Sequence, residues 1–438
     1  MHNFFLWRPR ALIVILGALL ANPVQATDIE IEESLPDSGK RSLLIPYAFY
    51  NDNTEGAAAL AYARTGFLQP QASLVLNTFY STNESFNVFT RLSNAQTPFA
   101  KRLFFNAWMY VADWGETDSY QDGNPNFPDE RAGSNDSDED NFIRAEGTDN
   151  YVRFEFEYLL PIGDGRGDPI HTFRTRNGVL VEGTEAGGRT WNPLKSGRTK
   201  IEVWPFYRDQ DLEDEFDNEF RQETLGVTLG LVYDNTNWSR NPSRGSRTRI
   251  AGSRDWGALD DDAPQWTAVE FEFSKYFDLG SSPKSAQRTL AANLWTSHVP
   301  TWNDSSTDSD GNEVLHRPPV FMGSTLGGLN RQRGFATNRF HDRSAINYAI
   351  EYRDTRVWNP FPNIPLINKL HIPWWQWVAF VEAGRVAEDW EFDELHKDMK
   401  FSFGAGVRIS VSGLIVRVDL AGSEEGGEVQ MFIGHAFE

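Results

Sequence analysis

The sequence predicts an all-β protein, a sixteen-stranded antiparallel transmembrane β-barrel. Three observations predict it: alternating apolar and polar side chains recur along nearly the whole chain, aromatics fill many of the apolar faces, and no stretch is left for a helical domain. The chain has 438 residues, 40% hydrophobic and 13% aromatic, with no cysteine, and 41 Lys+Arg against 62 Asp+Glu give a net charge of −21. The missing cysteine excludes a disulfide scaffold or a thiolate metal site. The acidic excess leaves no basic surface for a phosphate backbone, so no nucleic-acid partner is expected. Past the first residues no apolar run approaches the roughly 20 residues of a spanning helix, so a membrane protein of this kind must cross with strands.

Arg8 and Arg10 precede an apolar run from Ala11 to Ala21, and Val24-Gln25-Ala26 supplies small residues for cleavage, so residues 1–26 read as a secretory signal peptide. Residues 27–42 form a short polar segment expected in the periplasm, and the barrel domain is expected over 43–438. Its strands are predicted near 43–50, 57–66, 71–80, 86–93, 101–111, 150–160, 199–208, 223–234, 246–254, 265–276, 287–298, 345–354, 376–384, 400–410, 413–420 and 428–437. Val152, Phe154, Phe156 and Tyr158 interleave with Arg153, Glu155 and Glu157; Val269, Phe271 and Phe273 with Glu270, Glu272 and Ser274. Tyr348, Ile350 and Tyr352 oppose Asn347, Glu351 and Arg353, and Phe401, Phe403 and Val407 oppose Ser402, Gly404, Gly406 and Arg408. A barrel in lipid, apolar outside and polar within, requires this period of two. Pro205 removes a ladder donor inside one strand and predicts a bulge or an early end.

An even strand count assigns the connections alternately to two sides. The loops 112–149, 209–222, 255–264, 299–344, 385–399 and 421–427 are expected outside the cell; 112–149 carries twelve Asp and Glu against Arg131 and Arg144. The opposite turns include short ones, 67–70 and 411–412, and two long exceptions, 161–198 and 355–375. Trp374, Trp375 and Trp377 in or beside the second either join an interfacial belt or pack beneath the barrel.

The segment from Leu326 to Arg343 contains Arg333-Gly334-Phe335. It resembles the bacterial surface antigen family, the outer-membrane barrel superfamily of the assembly and translocation proteins BamA and TamA, whose hallmark is an Arg-Gly-Phe/Tyr tip on a long extracellular loop folded back into the lumen. Phe380, Glu382 and Gly384 resemble the family's Phe-x-Asp-x-Gly strand, with Glu in place of the usual Asp, and Asp234 with Pro242 and Gly245 resembles its periplasmic hairpin. The ending Met431 to Phe437 is similar to the aromatic C-terminal strand recognised for insertion, although Glu438 follows Phe437 here. Family members that insert or export proteins carry periplasmic POTRA domains, and 27–42 is too short for one, so the resemblance is to the barrel alone.

The residues themselves argue for a pair. An arginine carried into a lumen needs a carboxylate. Period two puts Phe380, Glu382 and Gly384 on one face, which must be luminal if Glu382 is to avoid lipid; Ala379, Val381 and Ala383 then face outward. Because Glu is one methylene longer than Asp, the Arg333–Glu382 contact is expected either direct or bridged by water.

Asp304, Asp308, Asp310 and Asn312 around Gly311, and the run 135–141, are rich in oxygen ligands, yet neither completes a calcium loop. They read as solvated acids, or as acids bridged to lipopolysaccharide by divalent cations, and no resident metal or cofactor is expected. No Gly-x-Ser-x-Gly or His-Glu-x-x-His motif is present, so an enzyme is not expected. The resemblance implies residence in the bacterial outer membrane and a role in insertion or translocation of polypeptide or lipid. Its implied partners are outer-membrane lipid and lipopolysaccharide, the barrel-assembly machinery during biogenesis, and a separate periplasmic protein. The competing reading is a passive structural barrel or narrow pore without a client.

Overall fold

The computed structural model describes residues 20–21, 28–35, 41–51, 54–216, 218–260, 263–411, 413–433 and 436–437. Sixteen antiparallel strands follow one another around the sheet. They are β1 (Arg41–Asn51), β2 (Glu55–Thr65), β3 (Ser73–Ser81), β4 (Phe86–Gln96), β5 (Leu103–Ser119), β6 (Ile143–Leu159), β7 (Arg198–Asp214), β8 (Glu219–Asp234), β9 (Gly245–Asp255), β10 (Trp266–Asp278), β11 (Ser285–His298), β12 (Ser344–Arg356), β13 (Trp375–Ala387), β14 (Lys400–Val411), β15 (Leu414–Ser423) and β16 (Gly426–Ile433). The two ends of the sheet come together. Ala61, Ala63, Val75 and Phe89 from β2–β4 share one apolar cluster with Val411, Leu414, Val416 and Met431 from β14–β16. Leu20–Ala21, inside the expected signal peptide, pair in parallel with Phe432 and Ile433 of β16.

The alternation sorts side chains as a barrel requires. Phe403 and Ile350 are 67% and 48% exposed on the outward face, whereas Glu351 on the inward face of β12 is fully buried. Inside, charge is matched along the wall. Lys200 donates to Glu157 at 2.8 Å, Arg249 bridges Glu202 (2.9 Å) and Glu270, and Arg153 meets Glu155 at 2.6 Å. The Arg153 guanidinium also lies between the rings of Trp108 and Trp204, at 4.6 and 4.9 Å. Buried charges of this kind are tolerable because each has a partner.

Several sequence expectations change in detail. Pro205 neither bulges nor ends its strand: it stays opposite Val227, the ladder with β6 keeps one register on either side of it, and β7 continues to Asp214. The expected outer loop 112–149 shrinks to 120–142. Asp113, Glu116, Asp118, Glu146 and Asp149 lie on β5 and β6, which stay paired well beyond the aromatic zone. The final strand is described to Ile433, and Phe437, expected on it, lies in a turn.

One rim carries the long connections 120–142, 299–343 and 388–399; the other, the short-turn rim, carries short turns apart from 160–197 and 357–374. At the short-turn rim, the 160–197 connection holds a strand, His171–Arg176, to which the N-terminal segment Asp28–Glu32 adds in parallel. Trp374 is buried there with Phe173, Ala186, Trp238 and Ile415, while Trp375 and Trp377 are half-exposed and Trp377 packs on Tyr352. Trp374 thus packs beneath the barrel, whereas Trp375 and Trp377 lie on the partly exposed face of β13.

Candidate functional site

The long connection between β11 and β12 is narrowed by a two-residue ladder, Thr325–Leu326 against Phe340–His341, so its tip (327–339) projects as a unit. The tip turns inward and is gripped by the walls of β12–β16. Gln332 donates to the Lys400 carbonyl at 2.7 Å and accepts from Asn347 at 2.8 Å. Arg417 donates to the Leu329 carbonyl at 2.6 Å, and Ser423 to the Gly334 carbonyl at 2.6 Å. Gly334 has φ +88°, and a Cβ there would press on the Gly422 backbone at 3.1 Å, so glycine answers both a conformational and a spatial demand.

Arg333 is fully buried. Its Nε donates to Glu382 Oε1 at 2.7 Å, its own backbone N–H to Glu382 Oε2 at 2.7 Å, and Nη1 reaches Asp419 at 2.8 Å and Glu351 at 2.9 Å. The contact with Glu382 is direct, not water-bridged. The guanidinium also lies 3.5 Å from the centre of the Phe380 ring, a cation–π geometry. Glu351 and Asp419 are shared: Arg408 bonds both (3.1 and 2.5 Å), Arg353 approaches Glu351 at 2.8 Å, and Arg417 approaches Asp419 at 3.4 Å. The result is a continuous ionic lattice that ties the loop to β12, β13, β14 and β15.

Glycines make room for it. A Cβ on Gly384 would meet Gln332 Oε1 at 2.5 Å, and one on Gly406 would meet Asp419 Oδ1 at 2.0 Å. Gly384 thus admits the loop's Gln332 side chain. Phe335 is buried with Trp295, Leu326, Phe340, Ala345 and Val386, an apolar seal beside the charges. The loop is covered in turn by 120–142: Arg131 pairs with Asp342 (2.5 Å), Arg339 donates to Ser137 (2.9 Å), and the His341 ring contacts the Tyr120 carbonyl at 2.6 Å.

The Omp85 superfamily domain profile matches residues 47–437, nearly the whole described barrel. The chain belongs to the Omp85 superfamily. Comparison with curated proteins returns no significant match. Among solved structures, this Omp85 chain is similar to CdiB from Escherichia coli (TM-score 0.52, 10% identity, 91% of this chain and 62% of that one), which shows a shared fold. It is also matched to BamA from Haemophilus ducreyi lacking POTRA domains 1–3 (0.45, 14%, 90% and 69%) and to CdiB from Acinetobacter baumannii (0.43, 9%, 88% and 56%). The chain thus spans less than two thirds of the length of either CdiB.

The other sequence-derived residues fall at separate places in this Omp85 barrel. Asp234, Pro242 and Gly245 bound the β8–β9 hairpin at the short-turn rim: Asp234 accepts from the Thr236 backbone at 2.9 Å, and Gly245 has φ +106° where a Cβ would strike the Asn235 carbonyl at 2.1 Å. Phe437 is off the terminal strand altogether. It is buried beside Tyr276, Ala291 and Ala349 on the inner faces of β10–β12, with Arg353 5.5 Å from its ring centre. The Asp308 carboxylate is occupied in a turn, accepting from the Asp310 and Asn312 backbones at 3.0 and 2.6 Å, and among the described residues no cluster of acids and histidines is arranged to hold a metal. Sequence reasoning did not single out Asp419, Glu351, Arg408 or Arg417 as partners of Arg333. Strand alternation marks Glu351 and Arg408 as inward-facing, but nothing local joins them to a loop tip.

Proposed function

We propose that this Omp85 barrel resides in the bacterial outer membrane and assists the insertion or translocation of a polypeptide or lipid there. Membership in a superfamily of insertion and translocation barrels gives the coarse reading. The observation that carries it further is the Arg333-Gly334-Phe335 tip, fixed inside the lumen by Glu382, Glu351 and Asp419. A loop anchored to β12–β15 holds the end of the sheet in one register, which supports a wall that can receive a strand at its edge. In this reading the short-turn rim is periplasmic, lipid and lipopolysaccharide surround the barrel, the barrel-assembly machinery inserts it, and a periplasmic protein delivers the client; catalysis has no part. The passive-pore reading is less well supported, because paired charges and a folded-back loop fill the inner face. Depletion followed by a quantitative survey of outer-membrane proteins and lipids tests the proposal: a selective loss of one client class is expected, and an unchanged profile counts against it.

A further inference from the structure

We propose that the short-turn rim carries a binding socket for extended acidic peptides, with carboxylates at every second position, and that Asp28–Glu32 is its resident occupant. The segment lies outside the barrel sheet and adds to His171–Arg176 as a parallel strand, from Asp28 opposite His171 to Glu32 opposite Thr175. Period two turns Asp28, Glu30 and Glu32 to one side, and each carboxylate has its own donors. Asp28 is held by the Arg198 guanidinium and by the Ser239 hydroxyl at 3.0 Å. Glu30 receives Arg240 at 3.3 Å and Thr175 at 3.3 Å. Glu32 accepts the Asn177 and Gly178 backbone N–H groups at 2.9 and 3.2 Å.

These donors come from the 160–197 connection, the first residue of β7 and the β8–β9 hairpin, and Arg240 also donates to the Gly413 carbonyl at 2.8 Å in the β14–β15 turn. Three anion-reading points at two-residue steps along a strand suit an extended chain and not a single anion, since successive same-side residues are about 7 Å apart. The ladder along His171–Arg176, now taken by Asp28–Glu32, supplies affinity for a strand that replaces the segment, and the donors supply register. Simple departure of the segment is disfavoured. With the segment in place the Arg198 and Arg240 side chains are only 7% and 11% exposed, and its departure would strip each of its carboxylate. The occupant is therefore exchanged for an equivalent strand that brings carboxylates of its own. A client or delivery partner carrying such a stretch would dock here, an assignment that rests on the polypeptide-handling role proposed above.

The test uses the full chain, folded in detergent and checked by heat-modifiability, with a fluorescein-labelled peptide Asp-Ile-Glu-Ile-Glu-Glu-Ser as probe. Glu30→Lys with Glu32→Lys repels the resident segment and leaves the socket intact. That variant is expected to bind the probe about tenfold or more tighter than a probe whose acids are amides, and adding Arg240→Ala is expected to abolish the preference. Joining Ile29→Cys to Thr172→Cys with a bismaleimide, in an otherwise cysteine-free chain, is expected to block binding. Absence of binding to the freed variant, equal binding of the amide probe, or undiminished binding after cross-linking overturns the proposal. Because the readout is binding by purified protein, it fails or succeeds independently of the client survey.

Discussion

Replacing Arg333 and Glu382 singly and together measures what fixes the loop. Arg333→Ala does not affect its three carboxylates equally: Glu351 keeps Arg353 and Arg408, and Asp419 keeps Arg408 and Arg417. Glu382, with both oxygens at 2.7 Å from Arg333, has that arginine as its cationic partner among the described residues. The cost therefore concentrates on Glu382, and breaking one side of a buried pair costs about 3–5 kcal/mol. Glu382→Gln leaves Arg333 with Glu351 and Asp419, so about 1–3 kcal/mol is expected for one charged acceptor. The double variant should fall short of the sum by about 0.5–3 kcal/mol, the coupling of side chains in contact. Urea unfolding in micelles, followed by tryptophan fluorescence and by heat-modifiability, gives all four corners of the cycle. Strict additivity would refute the pairing; equal losses from Arg333→Ala and Arg331→Ala would refute the special place of the tip arginine. Arg331 is not simply solvated, since its guanidinium lies 4.0 Å from the centre of the Trp295 ring, so its own replacement should cost about 0.5–2 kcal/mol.

Four further outcomes are expected. Gly406→Ala should lower stability by about 1–3 kcal/mol through overpacking, because the added methyl lands 2.0 Å from Asp419 Oδ1; an unchanged urea midpoint would mean that the lattice is slack. Phe437→Ala should destabilise the folded barrel by about 3 kcal/mol, whereas an effect on membrane yield alone would return this residue to a role in insertion only. The His341 pKa is held down at about 4 by burial, with Arg131 adding to the effect and the Tyr120 carbonyl and Asp122 opposing it. Its folded value lies below the unfolded one, so the loop contact is at full strength above about 6.5 and weakens as pH falls towards 4; the ratio of wild-type to His341→Gln trypsin cleavage at Arg131, which cancels the protease's own loss of activity at acid pH, should rise over that window. Single cysteines placed in 120–142 and 388–399 should react with an impermeant thiol reagent on intact cells, and reaction only after lysis would reverse the topology.

All sixteen strands were legible because lipid on one side and a packed polar lumen on the other impose a period of two that few other structures sustain. The same logic explains where the reading failed. Beyond the bilayer the outer face no longer needs apolar side chains, so Asp113, Glu116 and Asp118 look like loop while the backbone ladder continues. Pro205 looked like a defect because its missing donor is local, whereas register is held by many neighbouring pairs. The Arg333–Glu382 contact could be reasoned from alternation and a charge in need of a partner. The rest of the lattice could not, since Asp419 and Arg408 are ordinary inward-facing residues until a loop tip arrives from 86 positions away. The docked segment at the other rim was hidden for the same reason: Arg240 and Glu30 are separated by 210 residues, and no periodicity spans that distance.

The position of Phe437 has a mechanical corollary. Its ring rests near Arg353, whose guanidinium grips Glu351, and Glu351 in turn holds Arg333. The Phe437 ring, by way of Arg353, and the Arg333 loop tip therefore converge on a single carboxylate of β12. Loss of the Phe437 ring is expected to loosen Arg353 and, through Glu351, the loop tip as well, a change that heat-modifiability of Phe437→Ala would reveal.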